Sequence, residues 1–324
     1  MDMPIIQITS DSIINDVEHH FRIAAGPGAG KTHWLVEHIK NVLHISNRLA
    51  KTRKIACITY TNIAVETILK RLGTSAEQVE VSTIHSFLYK HIIKPYASFI
   101  ATEYNLNVAE FDGHDEHFVS LKKVLLWVET HPKSLLLKHP YTINQLTKLE
   151  NNKKALFSWL GSLSYEINAA GSISITSDRT KAFYIDSKRM YLNKNCLDIL
   201  ETDFLMYKKL YWCEGTLHHE DVLFLSYVII QKFPFVLDVL RAKFPYFFVD
   251  EFQDSNPIQV ALLNAIGQKE TIIGIVGDKA QSIYGFQGAD PSQFHSFSLT
   301  NIRDYVMSYN RRSSNEIIDI LNDL

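Results

Sequence analysis

Apolar positions along this chain follow two rhythms. Residues 21–25 (FRIAA) form a short apolar run that leads into a glycine-rich turn. From Thr32 to about Leu43 the apolar residues Trp34, Leu35, Ile39, Val42 and Leu43 then recur at helical spacing. The same pair of patterns returns at Lys54–Thr59 and Ile63–Leu72, and Val79–Ser82 reads as a third strand. Strands alternating with helices predict an α/β fold, a parallel sheet with helices on both faces. From about Pro95 to Glu214 the strand rhythm is lost. Phe118, Leu121, Val124, Leu125 and Val128 keep helical spacing, which predicts a mostly helical insertion. Within it, Ser172–Asp186 (ISIT, then AFYID) alternates like a hairpin. The first rhythm resumes near Asp221, and Tyr246–Val249 and Thr271–Val276 are apolar runs of strand length ending in acidic or glycine-containing turns. The expected organisation is a discontinuous α/β domain over 1–94 and 215–300, with the insertion at 95–214. The chain has no internal repeat and no low-complexity tract.

Composition narrows the field only modestly. With 46% hydrophobic and 21% charged residues the chain reads as an ordinary soluble globular protein. Its formal net charge of -2 means that any nucleic-acid surface must be a local patch. Residues 133–194 hold ten Lys or Arg against four Asp or Glu, with Trp159, Tyr165, Phe183, Tyr184 and Tyr191 interleaved. A face that guides a DNA backbone and a solvated helical face account for this excess equally well. Cys57, Cys196 and Cys213 lack metal-ligand spacing, which argues against a disulfide framework and fits a reducing, cytoplasmic setting. The segment MDMPIIQITSDSI lacks the pattern of a signal peptide. No apolar run approaches the ~20 residues that span a bilayer, so no membrane partner is expected. His19-His20 and His218-His219 have no zinc-like partners in sequence and read as ordinary histidines.

Chemistry enters with two strand-end motifs. Ala25-Gly26-Pro27-Gly28-Ala29-Gly30-Lys31-Thr32 lies between a predicted strand and a predicted helix. Small residues let successive backbone N–H groups converge on phosphate oxygens, and the helix N-terminus adds a favourable partial charge. Lys31 can reach the β- and γ-phosphates, and the Thr32 hydroxyl can ligate Mg²⁺. Ala25 stands where the strict motif has glycine, and the remaining positions are intact. Val249-Asp250-Glu251-Phe252-Gln253-Asp254 follows the apolar run Phe244–Phe248. Hydrolysis of a nucleoside triphosphate needs a carboxylate near Mg²⁺ and a group that orients water. Asp250 suits the first role and Glu251 the second. An acidic surface turn is the alternative for the second motif taken alone; beside a phosphate loop the catalytic reading is stronger.

Together with three further segments, these motifs resemble the superfamily 1 DNA helicases of the UvrD, Rep and PcrA type. Ile58-Thr59-Tyr60-Thr61-Asn62 is similar to that family's TFTN segment, and Ser82-Thr83-Ile84-His85-Ser86-Phe87 to its GTFHS segment. His219-Glu220-Asp221-Val222-Leu223 resembles the stretch before the acidic motif. The run from Gly277 to Asp290 (GDKAQSIYGFQGAD) resembles the third motif, and Tyr309–Ser314 (YNRRSS) resembles NYRSS. The resemblance covers most of 8–94 and 215–314. It implies a RecA-like sheet and ATP hydrolysis with Mg²⁺, coupled to 3′–5′ movement on single-stranded or partly duplex DNA. Gln281 would touch the γ-phosphate and Arg312 would act as an arginine finger. The strand would run past Thr59, Tyr60, Thr61, Asn62, Thr83, His85, Tyr284 and Phe286, whose aromatic faces can stack on bases. For each aromatic, burial in the core is an equal alternative.

The chain departs from the family pattern in several places. Ser12 stands at the position of the adenine-reading glutamine, with Gln7 the nearest amide. Arg311 stands where a tyrosine stacks on the base. Selectivity for ATP over GTP is therefore expected to be weak. Gln287 replaces an arginine and Ile63 a lysine. The resemblance implies that residues 301–324 begin a second RecA-like domain, of which only the first strand and helix fit before Leu324. Such a chain alone is expected to bind nucleotide and unwind poorly. A second function stays open: a DNA-sensing regulatory ATPase that pairs with a nuclease subunit, as UvrD-like proteins of Gabija-type anti-phage systems do.

Overall fold

The computed structural model describes residues 5–138, 150–168, 171–185, 189–278 and 292–308. It divides into two compact units, Met1–Leu88 with Ile230–Leu324, and Tyr89–Ile229. In chain order the strands are β1 (Ile6–Ile8), β2 (Phe21–Ala25), β3 (Ile55–Thr59) and β4 (Val79–Thr83). Next come β5 (Ser164–Ile167), β6 (Ile173–Thr176), β7 (Phe183–Ile185) and β8 (Arg189–Tyr191), then β9 (Tyr246–Val249), β10 (Ile272–Gly277) and β11 (Arg303–Met307).

The first unit is an α/β, RecA-like domain built on a seven-stranded sheet of order β1-β11-β2-β10-β9-β3-β4. Every neighbouring pair in it is parallel. Strands β3, β9 and β10 are buried at every residue. That is why they read as continuous apolar runs, the mark of strands covered on both faces. The edge strands are only partly buried. Helix α1 (Lys31–Ile45) follows β2 and buries Trp34, Leu35, Ile39 and Val42 against the sheet core of Phe21, Tyr246 and Phe248. The Phe21 ring packs so closely over β10 that a Cβ at Gly274 would overlap it. Helix α2 (Asn62–Leu72) is capped by Thr61, whose hydroxyl accepts from the Ala64 N–H at 3.2 Å.

Two expectations change here. Residues 303–307 do not open a second sheet. They form β11, inserted between β1 and β2 of the first one. The Arg22 guanidinium pairs with both Asp304 oxygens, at 2.6 and 3.0 Å, and the Tyr305 hydroxyl meets His19 Nε2 at 3.0 Å. The hairpin expected over 172–186 is also redrawn. ISIT pairs backwards with β5, and FYI pairs forwards with β8, giving two separate antiparallel hairpins.

The second unit is mostly helical. It contains helices Leu121–Thr130, Glu150–Leu160, Lys194–Thr202 and Phe204–Trp212, together with the two hairpins. Trp127, Trp159, Tyr207 and Trp212 are fully buried in it. Trp159 and Tyr165, two of the aromatics interleaved with the basic residues, are therefore core residues. Arg179 from the same stretch is neutralised by Asp198 and Glu201, at 2.8 and 2.7 Å.

Near the Trp127–Tyr207 core lies a buried charge cluster. Lys208 Nζ, with no exposed surface, sits 2.8 Å from Asp221 Oδ1, 3.0 Å from Glu220 Oε1 and 3.0 Å from His218 Nδ1. Tyr165 and the His218 backbone also donate to Asp221, at 3.2 and 2.9 Å. Burial raises the Asp221 pKa, but Lys208 and His218 outweigh it and hold the carboxyl well below its ordinary range. His117, His218 and Glu220 place donor atoms within 4.8 Å of one another, as a metal site would. The Lys208 ammonium already supplies the cation there. His218, read from sequence as an ordinary histidine, belongs to this cluster.

Replacing Lys208 by Met should leave the buried carboxylates uncompensated and lower the unfolding free energy by about 3–5 kcal/mol. Asp221 is depressed in the folded state, so its contribution is present at neutral pH and is lost as pH falls below the ordinary carboxylate range. Without Lys208 the buried carboxylates lose their cation and should titrate higher, so the variant can relieve its penalty by protonating them. Urea unfolding should therefore show the Lys208→Met deficit at pH 7 and a smaller one at pH 4.

Candidate nucleotide site

All the strands of the sheet end on one edge, and a parallel sheet presents its ligand crevice outside that edge. The loop after β2 and the turn after β9 both lie there, separated by the width of β10. Gly28 and Gly30 take left-handed φ values of 72° and 87°, so the loop folds back on itself before α1 begins. At Gly30 a Cβ would also stand 2.8 Å from the Ser10 Cβ, because the Thr9–Ser12 turn packs on the loop. Pro27 is exposed, Ala25 and Ala29 are buried, and Gly26 is half-buried.

Lys31 and Thr32 open α1 and face the acidic turn. Thr32 Oγ1 donates to Asp250 Oδ2 at 3.2 Å, and Asp250 Oδ1 accepts from the Glu251 N–H at 3.1 Å. Lys31 Nζ, almost fully buried, lies 3.6 Å from Glu251 Oε2 and 3.8 Å from Asp278 Oδ2. Glu251 has φ 52° and ψ 41°, a left-handed conformation that is unusual for a residue with a side chain. Such strain persists where the surroundings hold it, and it concentrates at functional sites. Asp254, on the turn after Glu251, completes the acidic group; its Oδ1 has no hydrogen-bond partner among the described residues.

Among the described residues, four carboxylates thus gather near one ammonium. Burial, reinforced by the neighbouring Glu251 charge, pushes the Asp250 carboxyl up to about 7. The same two causes push Asp254 up to about 6. Lys31 opposes both shifts without cancelling them. A divalent cation fits this deficit of positive charge: Asp250 and the Thr32 hydroxyl offer hard oxygen donors of the type Mg²⁺ takes.

Beside the loop lies a cavity of about 430 Å³ lined by Ser10, Asp11, Ser12, His33 and Glu37, among others. His33 Nε2 stands 3.6 Å from Asp11 Oδ1. Ser12 uses its hydroxyl internally, accepting from the Thr9 N–H at 2.9 Å. The Gln7 amide is turned elsewhere and donates to Ser308 Oγ at 2.7 Å.

Residues 8–302 match the family model described as the UvrD/REP helicase N-terminal domain. The chain belongs to that family. Among its relatives is the Gabija protein GajB of Bacillus cereus strain HuB5-5. It is 23% identical over 346 residues, covering 98% of this chain and 49% of GajB. The ATP-dependent DNA helicase PcrA of Leuconostoc citreum is 25% identical over 316 residues, covering 95% of this chain and 37% of PcrA. PcrA of Staphylococcus aureus strain Mu50 is 26% identical over 324 residues, with 96% and 38% covered. The chain spans half or less of the length of these relatives.

In this UvrD/REP-type domain the TFTN-like and GTFHS-like segments close neighbouring strands, with Thr59 opposite Thr83 in the β3–β4 register. Thr59 is buried, Tyr60, Thr83 and His85 are half-buried, and Thr61 and Asn62 are exposed. Tyr60 and His85 are therefore not core aromatics. Gln281, Tyr284, Phe286, Arg311 and Arg312 lie outside the described residues. Sequence reasoning passed over Asp278 and Gln253, which the structure brings into contact with this site. The signal for Asp278 was its place directly after an apolar strand, the same context that singled out Asp250.

Because the folded state raises the Asp250 pKa, metal-free protein loses stability as pH climbs from about 4 through 7, the window in which the buried carboxyl must ionise. Asp250→Asn should remove that penalty. Urea unfolding in EDTA at pH 8 should find the variant more stable by about 2–4 kcal/mol, with the difference gone at pH 4. An equal or lower stability at pH 8 would show that Asp250 ionises freely.

Proposed function

We propose that this chain is the nucleotide-hydrolysing motor part of a DNA helicase or translocase, using Mg²⁺-ATP to move along single-stranded DNA, with the 3′–5′ polarity that the family resemblance implies. The observation that carries the reading is the meeting of Lys31, Thr32, Asp250 and Glu251 at one sheet edge, joined by the 3.2 Å hydrogen bond from Thr32 to Asp250. The phosphate loop and Lys31 bind the phosphates. When bound, Mg²⁺ would be held by Thr32 and Asp250 and would neutralise charge on the phosphoryl oxygens. Lys31 leaves its contacts with Glu251 and Asp278 for the phosphate chain. Glu251, freed from that ion pair and held by its backbone conformation, orients the attacking water. The single strand passes over Tyr60, Thr61, Asn62 and His85 at the ends of β3 and β4.

A second reading has its own support. The match to GajB covers nearly the whole chain, and a Gabija-type protein is a defence component. On that reading the same site serves a DNA-sensing ATPase that acts with a nuclease subunit and does not unwind processively. Single-stranded DNA stimulates hydrolysis in both. Displacement of a labelled strand from a partly duplex substrate by the intact protein separates them.

The hydrolase reading is tested by Glu251→Gln. Hydrolysis should fall by about 10²-fold or more, the scale of losing a general base, while nucleotide still binds. Loss of binding together with activity would remove Glu251 from the water-orienting role.

Nucleotide choice is a separate test. The phosphate contacts ignore the base, Ser12 spends its hydroxyl on Thr9, and the Gln7 amide lies with Ser308. Steady-state hydrolysis of ATP and GTP, with saturating single-stranded DNA, should agree within about tenfold, ~1.4 kcal/mol. A preference for ATP above about a hundredfold would mean that another group reads adenine.

A further inference from the structure

We propose that Gln253 is a positioning residue for hydrolysis, its side-chain amide fastening the Glu251 carboxylate to the end of β10. The proposal rests on the hydrolase reading of Glu251 given above. Gln253 is buried on the turn after β9. Its Nε2 donates to Glu251 Oε2 at 2.9 Å, with Asp254 Oδ2 at 3.4 Å, while its Oε1 accepts from the Asp278 N–H at 2.9 Å. Both partners fix the amide's orientation. A carboxylate can only accept, and a backbone N–H can only donate. Of the side chains of this length, only a neutral primary amide meets both demands.

Two more features converge on the same contact. Glu251 Oε2 has Lys31 as its other close partner, at 3.6 Å, and that ammonium is the group that phosphate withdraws. Among the described residues, the Gln253 amide is then the contact left to Glu251 when nucleotide binds. At Gly277, the last residue of β10, a Cβ would stand 2.8 Å from Gln253 Oε1 and 2.8 Å from the Phe294 ring. Glycine there leaves the amide its place against the strand. The water-orienting carboxylate is thereby tied to the strand that leads into the GDKAQSIYGFQGAD segment.

The substitution that isolates this role is Gln253→Glu. It keeps an acceptor for the Asp278 N–H and turns the donor toward Glu251 into a repelling carboxylate. In the intact protein, with saturating single-stranded DNA, kcat for ATP should fall by about tenfold or more, below the scale of losing the base itself. The nucleotide Kd, read with a fluorescent ATP analogue, should stay within about threefold. Gln253→Met, which removes both hydrogen bonds without adding charge, should lower kcat in the same way. The decisive readout is the cycle with Glu251→Gln. If Gln253 acts through Glu251, adding Gln253→Glu to Glu251→Gln should change kcat by less than about twofold, because the two losses are not independent. A kcat for Gln253→Glu within twofold of the unsubstituted protein, or losses that multiply in the double variant, would overturn the proposal. If Glu251→Gln alone leaves hydrolysis intact, the hydrolase reading fails first, which is distinguishable from failure of the Gln253 link.

Discussion

Among the described residues positive charge is scarce at the sheet's C-terminal edge, and the arrangement of the site follows from that scarcity. Asp250, Glu251, Asp254 and Asp278 collect around Lys31, and the two carboxyls most affected are held above their ordinary range, at about 7 and about 6. The Lys208 cluster is the useful contrast. Asp221 is at least as buried as Asp250, yet its carboxyl is held low, because an ammonium and a histidine stand against it at hydrogen-bonding distance. Burial is common to both, so the number and closeness of cationic partners decides the sign. In one cluster the ammonium stands at hydrogen-bonding distance from both carboxylates and joins two helices. The other holds buried carboxyls above their ordinary range and carries a standing cost in stability, as sites built for ligands commonly do.

What keeps such a site from collapsing is the sheet beneath it. The acidic turn hangs from β9, fully buried between β10 and β3, and the Asp250 N–H is anchored on the Ile58 carbonyl at 2.8 Å. The phosphate loop hangs from β2, locked by Phe21 against Gly274 of β10. Because β10 pairs with both strands, the loop and the turn are set by one common neighbour. Their spacing is then a property of the strand order and does not depend on contacts within the loops. This allows Glu251 to adopt a left-handed backbone without relaxing out of it.

Most of this framework was legible in the chain because buried parallel strands read as short apolar runs bounded by turns, and amphipathic helices carry a 3.6-residue period. The strands at 21–25, 55–59, 79–83, 246–249 and 272–277 and the helices after the first two fall where the pattern puts them, within a residue or two. The losses have physical reasons. Strand β1 has only three residues and exposes two of them, so it carries no apolar run. Strand β11 opens on two charged residues, Arg303 and Asp304, the second paired with Arg22, so only its last three residues read as apolar. The pairing partners of ISIT and FYI depend on turns whose direction periodicity does not encode. Trp159 lay among lysines in sequence but turned inward, since local charge says nothing about which face a helix buries. Lys208 looked like any surface lysine, and its role required Asp221, thirteen residues later, to come within 2.8 Å.

The two ends of the candidate nucleotide site are specified unequally. On the phosphate side the described groups have defined places: glycines at left-handed φ, Lys31 between two carboxylates, and Thr32 on Asp250. The cavity beside the loop is different. Its polar side chains near the loop are short or already paired: Ser12 with Thr9, Asp11 with His33. Its shape owes more to the Thr9–Ser12 turn, held by the Trp34 Nε1–H donating to the Ser12 carbonyl at 2.9 Å, than to a directed amide. A site in which phosphate and metal carry most of the recognition binds what hydrolysis acts on and is indifferent to the rest. On the proposed function the useful signal is the presence or loss of the terminal phosphate, and Lys31, Glu251, Gln253 and Asp278 converge where that reading puts it. The departure at Ser12 falls on the side of that cavity, whereas Lys31, Thr32, Asp250 and Glu251 keep the family pattern, so sequence and geometry agree that the phosphate side is the more closely specified.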